Sequence, residues 1–172
     1  MNNDSRIVQQ QIGRELRSDS EVSCRCHLGI PAVIKVPPIL NDGTPFPTTY
    51  WLTCPMYNKK IGSLESQGLI KELDNELENN PDLKEKWQSR QKTYQAEREE
   101  LANDNSGPQA TGGVGGAIES IKCLHSHTAD ELSTGKNAIG KIVVESIGSF
   151  NCEEVCINPE TFEKNKNWKV IW

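Results

Sequence analysis

The chain has 172 residues, a length that fits one domain with a hydrophobic core of its own and no need for disulfide staples. Its formal net charge of −5 argues against a sequence-independent hold on DNA or RNA, which requires clustered positive charge. No apolar stretch approaches the roughly 20 residues of a membrane span, and the first residues contain no apolar signal core, so we expect a cytoplasmic protein without a membrane or nucleic-acid partner.

The first third of the chain predicts one helix followed by extended segments. Val8, Ile12 and Leu16 recur every four residues, which predicts an amphipathic helix over residues 5–17. Three extended segments follow. Residues 21–26 form a short alternating stretch, and residues 32–37 and 48–54 are rich in β-branched or aromatic residues and are bounded by turn or proline signals. The turn signal at residues 41–43 indicates that the last two strands pair in the antiparallel sense.

The middle of the chain predicts a helical hairpin over residues 58–103. Trp87, Tyr94 and Leu101 are each seven residues apart, a spacing typical of coiled coils. The core positions between them are occupied by Arg90 and Glu97. The pattern therefore favours a hairpin that packs on itself or on a protein partner over a self-sufficient coiled coil.

The last part of the chain begins with a glycine-rich stretch, residues 103–116, whose composition predicts a flexible loop. A helix over residues 123–134 follows, with Gly135 as its C-cap, and a fourth strand is predicted over residues 141–147. Together the elements predict a single α+β domain, residues 1–172, with a small, mostly antiparallel sheet, helices on one side and a projecting helical hairpin.

Several short motifs occur in an order that resembles one family. They are Pro31-Ala32-Val33-Ile34, Asp42-Gly43-Thr44-Pro45-Phe46-Pro47-Thr48 with Tyr50-Trp51-Leu52, Ser63-Leu64-Glu65 with Gly68, Lys122-Cys123-Leu124-His125 with His127, and Gly135 with Asn137 and Gly140. The chain resembles, over roughly residues 20–145, an uncharacterised bacterial family, domain of unknown function 501. The resemblance implies no activity. It implies that Cys26, Cys54, Cys123 and His125 occupy positions of the family motif, whereas His27 departs from the proline expected in some relatives.

The segment Lys122–His127 carries two of the three histidines beside a cysteine, and thiolate and imidazole are common zinc ligands. With Cys26 and Cys54 from other elements, Cys123 and one histidine complete a Cys3His set typical of structural zinc. On a regular helix Cys123 and His127 share a face while His125 points about 160° away, so either His127 or His125 is expected to bind, but not both. Zinc is therefore the cofactor that the pattern favours.

Two other interpretations of the same segment stay open. A thiolate at Cys123 would be stabilised by Lys122 and by the helix N-terminus, with His125 or His127 as base, which predicts a metal- or thiol-dependent hydrolase acting on a small or phosphorylated substrate. Alternatively the motif is only a helix start that packs on the strand before Cys54. The remaining cysteines fit buried small side chains, although the last two could form a second ligand pair: Cys24, Cys152 and Cys156.

The leading interpretation of the sequence combines these features. It is a cytoplasmic, non-enzymatic protein with a zinc-like Cys/His site and a helical hairpin available to a protein partner. The hydrolase is the alternative.

Overall fold

A three-stranded antiparallel sheet and six α-helices form the part of the chain that the computed structural model describes, residues 2–103 and 107–172. This architecture confirms the predicted α+β class. The elements in chain order are α1 (Asn3–Ile12), β1 (Glu21–Arg25), β2 (Pro31–Lys35), β3 (Tyr50–Leu52), α2 (Pro55–Ser66), α3 (Leu69–Asn79), α4 (Pro81–Ala102), a short 3-10 segment (Val114–Gly116), α5 (Leu124–Thr134) and α6 (Ala138–Ile147).

The sheet has the order β1-β2-β3, and all three strands fall within the predicted ranges or one residue outside them. The central strand β2 is buried over four of its five residues, which explains its continuous apolar sequence. Val33 pairs with Leu52, and Ile34 pairs with Trp51, so the second and third strands are antiparallel neighbours as the turn signal indicates.

The predicted strand over residues 141–147 is wrong, because these residues form helix α6. The run of β-branched residues misled the prediction, since its propensity for strands is overridden by capping and packing. Asn137 caps the helix by accepting a hydrogen bond from the Gly140 amide at 2.8 Å. Ile139 and Val143, four residues apart, are fully buried against the core, which is the spacing of a helix face.

The first helix is shorter than its pattern predicted. It begins at Asn3, because the Asn2 side chain caps it through the Ser5 amide at 2.7 Å. It ends at Ile12, because Gly13 adopts the left-handed conformation with φ of 70° and turns the chain away.

Helices α3 and α4 are joined by Asn80 and contact each other. Helix α4 also packs against the domain, since its buried face includes Trp87 and Tyr94, and the Tyr94 hydroxyl accepts a hydrogen bond from the Thr49 amide at 2.7 Å beside strand β3. A protein partner for this pair of helices stays a prediction.

Arg98, near the end of α4, holds the described part of the glycine-rich loop in place. The residue is 2% exposed, and its guanidinium donates to four backbone carbonyls, those of Pro47, Ala110, Gly112 and Gly113. Residues 104–106 of the predicted loop lie outside the described residues. No helix in the described ranges combines the length and the apolar character that a membrane crossing needs.

Candidate metal centre

Three chemically different side chains meet where helix α5 begins. Cys123 is the N-cap residue, with extended backbone angles, and His125 lies in the first turn. Glu65 reaches them from the last turn of helix α2. A carboxylate oxygen, the cysteine sulfur and a ring nitrogen from these residues all lie within 4.8 Å of one another, and each residue is partly exposed.

Glu65 has two roles in this arrangement. Its Oε1 atom accepts a hydrogen bond from the Leu124 amide at 2.9 Å, so it occupies the place of a helix cap at the positive end of the α5 dipole. The same oxygen lies 3.3 Å from Nδ1 of His125. A carboxylate oxygen has two lone pairs, so it can serve both partners at once. The charged side chain is thereby fixed toward the histidine.

The tautomer of His125 follows from its second nitrogen. Nε2 lies 3.3 Å from the backbone carbonyl oxygen of Asn58, and a carbonyl only accepts, so Nε2 carries the hydrogen. Nδ1 then faces the Glu65 oxygen. Two lone pairs in this position repel each other unless a proton or a metal cation lies between them. Nδ1 of His125 therefore carries either a proton or a metal cation.

The charges of the cluster shift both titratable partners. Burial alone would lower the pKa of His125, but the hydrogen bond to Cys123, the negative charges of Glu65 and Cys123 and the Asn58 carbonyl together raise it. Burial would raise the pKa of Cys123, but interactions with His125 and with the amide and hydroxyl of Ser126 outweigh it and lower this pKa. Without a metal the pair is thus biased toward thiolate and imidazolium.

The glycine-rich loop closes one side of the cluster. A Cβ atom at Gly115 would lie 3.3 Å from Ser126 Oγ and 3.8 Å from Cys123 Cβ, and the backbone φ of +64° is one that glycine adopts without strain. Lys122 donates from Nζ to the Gly116 carbonyl at 3.1 Å. Three of the four carbonyls that accept hydrogen bonds from Arg98 lie in the same loop, so this arginine helps to fix the wall of the site.

His127 points away from the cluster into the core. It is 1% exposed, and its Nδ1 atom lies 3.0 Å from Asn137 Oδ1. That oxygen also accepts from the Gly140 amide, so His127 donates through Nδ1. Burial lowers the pKa of His127, which keeps the ring neutral. A regular helix would place Cys123 and His127 on one face, but Cys123 has non-helical backbone angles and its sulfur lies close to His125 and Glu65 instead.

The sequence of the chain matches the family described as "Protein of unknown function (DUF501)" over residues 22–145. The chain belongs to this family. The match covers more than half of the chain and includes all three residues of the cluster, so the DUF501 region itself supplies the candidate centre. No curated protein and no solved structure shows significant similarity to the chain.

Cys26 and Cys54 lie elsewhere in the DUF501 chain. They border a separate cavity together with Cys152 and Cys156. Cys54 is the N-cap residue of α2 and is 8% exposed, and burial raises its pKa to about 12. Among the described residues, one group of three side chains is close enough together to hold a metal ion, and it contains neither Cys26 nor Cys54. The Cys3His set stays a prediction.

Glu65 is the residue of the cluster that sequence reasoning missed. It lies 58 positions before Cys123, and a carboxylate on a charged helix gives no local signal. The signal in the sequence that could have indicated this carboxylate is the Ser63-Leu64-Glu65 motif, which is one of the motifs of the family resemblance.

Proposed function

We propose that this DUF501 protein binds a divalent metal ion, zinc by the chemistry of its ligands, at Glu65, Cys123 and His125. The observation that carries the proposal is the orientation of His125, whose Nε2 is occupied by the Asn58 carbonyl while Nδ1 faces an anionic oxygen. A carbonyl that fixes the far nitrogen of a ligating histidine is the usual outer partner of a metal site.

The distances fit one ion. Two ligand atoms bound to zinc at about 2.0–2.1 Å in tetrahedral geometry lie about 3.3–3.4 Å apart. Glu65 Oε1 and His125 Nδ1 are 3.3 Å apart, and the Cys123 sulfur is within 4.8 Å of a Glu65 carboxylate oxygen and of a His125 ring nitrogen. A set of one sulfur, one nitrogen and one oxygen suits zinc better than calcium or magnesium, which prefer oxygen alone.

Three protein ligands leave one tetrahedral position for water. Structural zinc sites are closed by four protein ligands, whereas catalytic sites retain an open position. The Glu65 and His125 side chains are 26% and 28% exposed, so solvent reaches the cluster. Zinc lowers the pKa of a bound water to about 7, which is the chemistry of hydrolysis. We therefore favour a metal-dependent hydrolase over a purely structural zinc protein.

Metal binding tests the proposal directly. The purified protein, made without an affinity tag, is expected to bind zinc with at least about 100-fold higher affinity than the Cys123→Ser and Glu65→Gln variants, because each variant removes a ligand. Cys24→Ser is the matched control, since Cys24 lies on strand β1 outside the cluster. Competition with a chromophoric chelator measures the affinities. The same number of zinc sites with the same affinities in the wild-type and Cys123→Ser proteins would reject the site.

A thiol nucleophile is the second candidate, because Cys123 and His125 shift each other toward thiolate and imidazolium. In protein stripped of metal, Cys123 is expected to react with iodoacetamide faster at pH 7 than Cys24, whose pKa is raised by burial and by Cys26. A lowered pKa leaves more thiolate at pH 7, so the rate should fall only when the pH drops below that pKa.

Peptide mass spectrometry over time gives both rates in one chain. If Cys123 alkylates no faster than Cys24 in the stripped protein, the thiol mechanism is excluded. If added zinc then suppresses the reaction of Cys123 while leaving Cys24 unchanged, the thiolate serves as a ligand and the metal function holds.

A further inference from the structure

A second group of thiols surrounds a small cavity that shares no residue with the Glu65 cluster. Four of the six cysteines line it: Cys26, Cys54, Cys152 and Cys156. Its volume is about 30 Å³. A cavity needs roughly 10–15 Å³ on this measure to hold one water-sized body, so the space suits a single ion.

The four cysteines come from separate parts of the fold. Cys26 follows strand β1, and Cys54 precedes helix α2. Cys152 and Cys156 lie beyond α6, in a segment without regular strands or helices among its described residues, 148–172. Apolar packing alone does not require four cysteines around one cavity, because side chains that end in methyl groups fill such a space equally well.

One of these sulfurs accepts a side-chain hydrogen bond. Gln11 donates from Nε2 to the Cys156 sulfur at 3.6 Å, whereas Cys54 lies at the start of α2 without a side-chain capping hydrogen bond. His27 Nε2 lies 2.9 Å from the Cys152 carbonyl oxygen, which fixes the segment that carries this cysteine. Hydrogen bonds from amides to sulfur are typical of thiolates that bind metal, because they spread the negative charge.

We propose that Cys26, Cys54, Cys152 and Cys156 bind a second metal ion, zinc, in a closed four-thiolate site that ties the segment 148–157 to the sheet and to α2. Sulfurs at about 2.3 Å from one zinc lie about 3.8 Å apart. In the described part of the chain no three of these sulfurs lie within 4.8 Å of one another, so the sulfurs must move closer together when the ion binds. Cys152 and Cys156 are on the segment without regular helices or strands. Each thiol gives up one proton to solvent as it binds.

This site shares no ligand with the proposed hydrolytic centre, so each of the two proposals can be rejected without the other. The Cys123→Ser variant, which lacks the first centre, is loaded with cobalt(II) after removal of zinc. Strong thiolate-to-cobalt charge-transfer absorption with tetrahedral ligand-field bands is expected, because four thiolates remain. Absence of both features in folded Cys123→Ser protein would overturn the proposal, whatever the first centre binds.

Metal content gives the second measurement. The Cys152→Ser/Cys156→Ser double variant is expected to hold one zinc per chain fewer than the wild type, while the Cys24→Ser control keeps the wild-type content. Cys24 is the matched control because it lies on the neighbouring strand but does not line the cavity. An unchanged zinc content per chain in the double variant would refute the site. The four cysteines would then serve only as apolar packing. A disulfide among the four cysteines in protein purified without oxygen also refutes it. If the double variant does not fold, the cobalt spectrum of Cys123→Ser decides.

Discussion

Asp130→Asn is expected to lower the free energy of unfolding by about 3–5 kcal/mol, because it removes the buried counter-charge of the Arg90 guanidinium. The side chains of Asp130 and Arg90 are 0% and 4% exposed. Arg90 donates to Asp130 through Nε at 2.8 Å and through Nη2 at 2.7 Å, which makes a buried bidentate pair. Urea denaturation followed by circular dichroism measures the change.

Glu97→Gln is the matched control for this prediction. Glu97 binds the other edge of the same guanidinium, with both contacts at 3.0 Å, but its side chain is 39% exposed. Solvent replaces most of such an interaction, so we expect a loss of about 0–1 kcal/mol. If the two variants lose the same stability, burial does not determine the strength of this pair and the prediction is wrong.

The Arg90–Asp130 pair is connected to the residues that hold His127 away from the Glu65 cluster. Asp130 accepts from Asn137 Nδ2 at 2.8 Å, and Asn137 in turn accepts from His127 and caps α6. The pair therefore links α4, α5 and α6 through one chain of hydrogen bonds behind the candidate centre. His127 belongs to this internal network, which leaves His125 on the side of α5 that faces Glu65.

Local signals in the sequence are sufficient to predict the three strands of the sheet and helix α5. β-branched residues between turn signals defined β2, and Gly135 marked the end of α5 by its left-handed conformation. The same signals were not sufficient at α6, where the apolar residues Ile142, Val143 and Val144 fit a strand by propensity. Only the cap from Asn137 and the packing of α6 on α5 decide for a helix, and packing is not a local property.

The candidate centre likewise combines two residues that local sequence indicates with one that only the fold brings close to them. Cys123 and His125 are close in the chain, so their residue types alone indicated a site. Glu65 joins them only because α2 and α5 meet in the fold, and no pattern within α2 sets this carboxylate apart from its charged neighbours. Cys26 and Cys54 line one cavity with Cys152 and Cys156 of the C-terminal segment, a proximity that only the three-dimensional arrangement shows.

The close approach of α5 and α6 rests on a glycine, and its replacement is the second large effect that we expect. In Gly140→Ala the new Cβ would overlap the backbone carbonyl oxygen of His127, and it would lie 2.8 Å from the His127 carbonyl carbon and 2.6 Å from Glu131 Cβ. Backbone atoms cannot rotate aside, so α6 must move away from α5. We expect a loss of about 3 kcal/mol, the upper end of the usual range for overpacking.

Gly62→Ala is the control that separates this clash from the general effect of alanine in a helix. Gly62 lies inside α2, a Cβ added to it would meet no neighbouring atom within 4 Å, and like Gly140 it does not adopt a left-handed backbone. Alanine there should raise stability by about 0.5–1 kcal/mol, because glycine loses more backbone entropy on folding. Opposite signs for the two variants in thermal and urea unfolding would establish that the contact at Gly140 fixes the separation of α5 and α6. A stabilising Gly140→Ala would show that the two helices have room to shift, and α5 would then not hold His125 rigidly against Glu65.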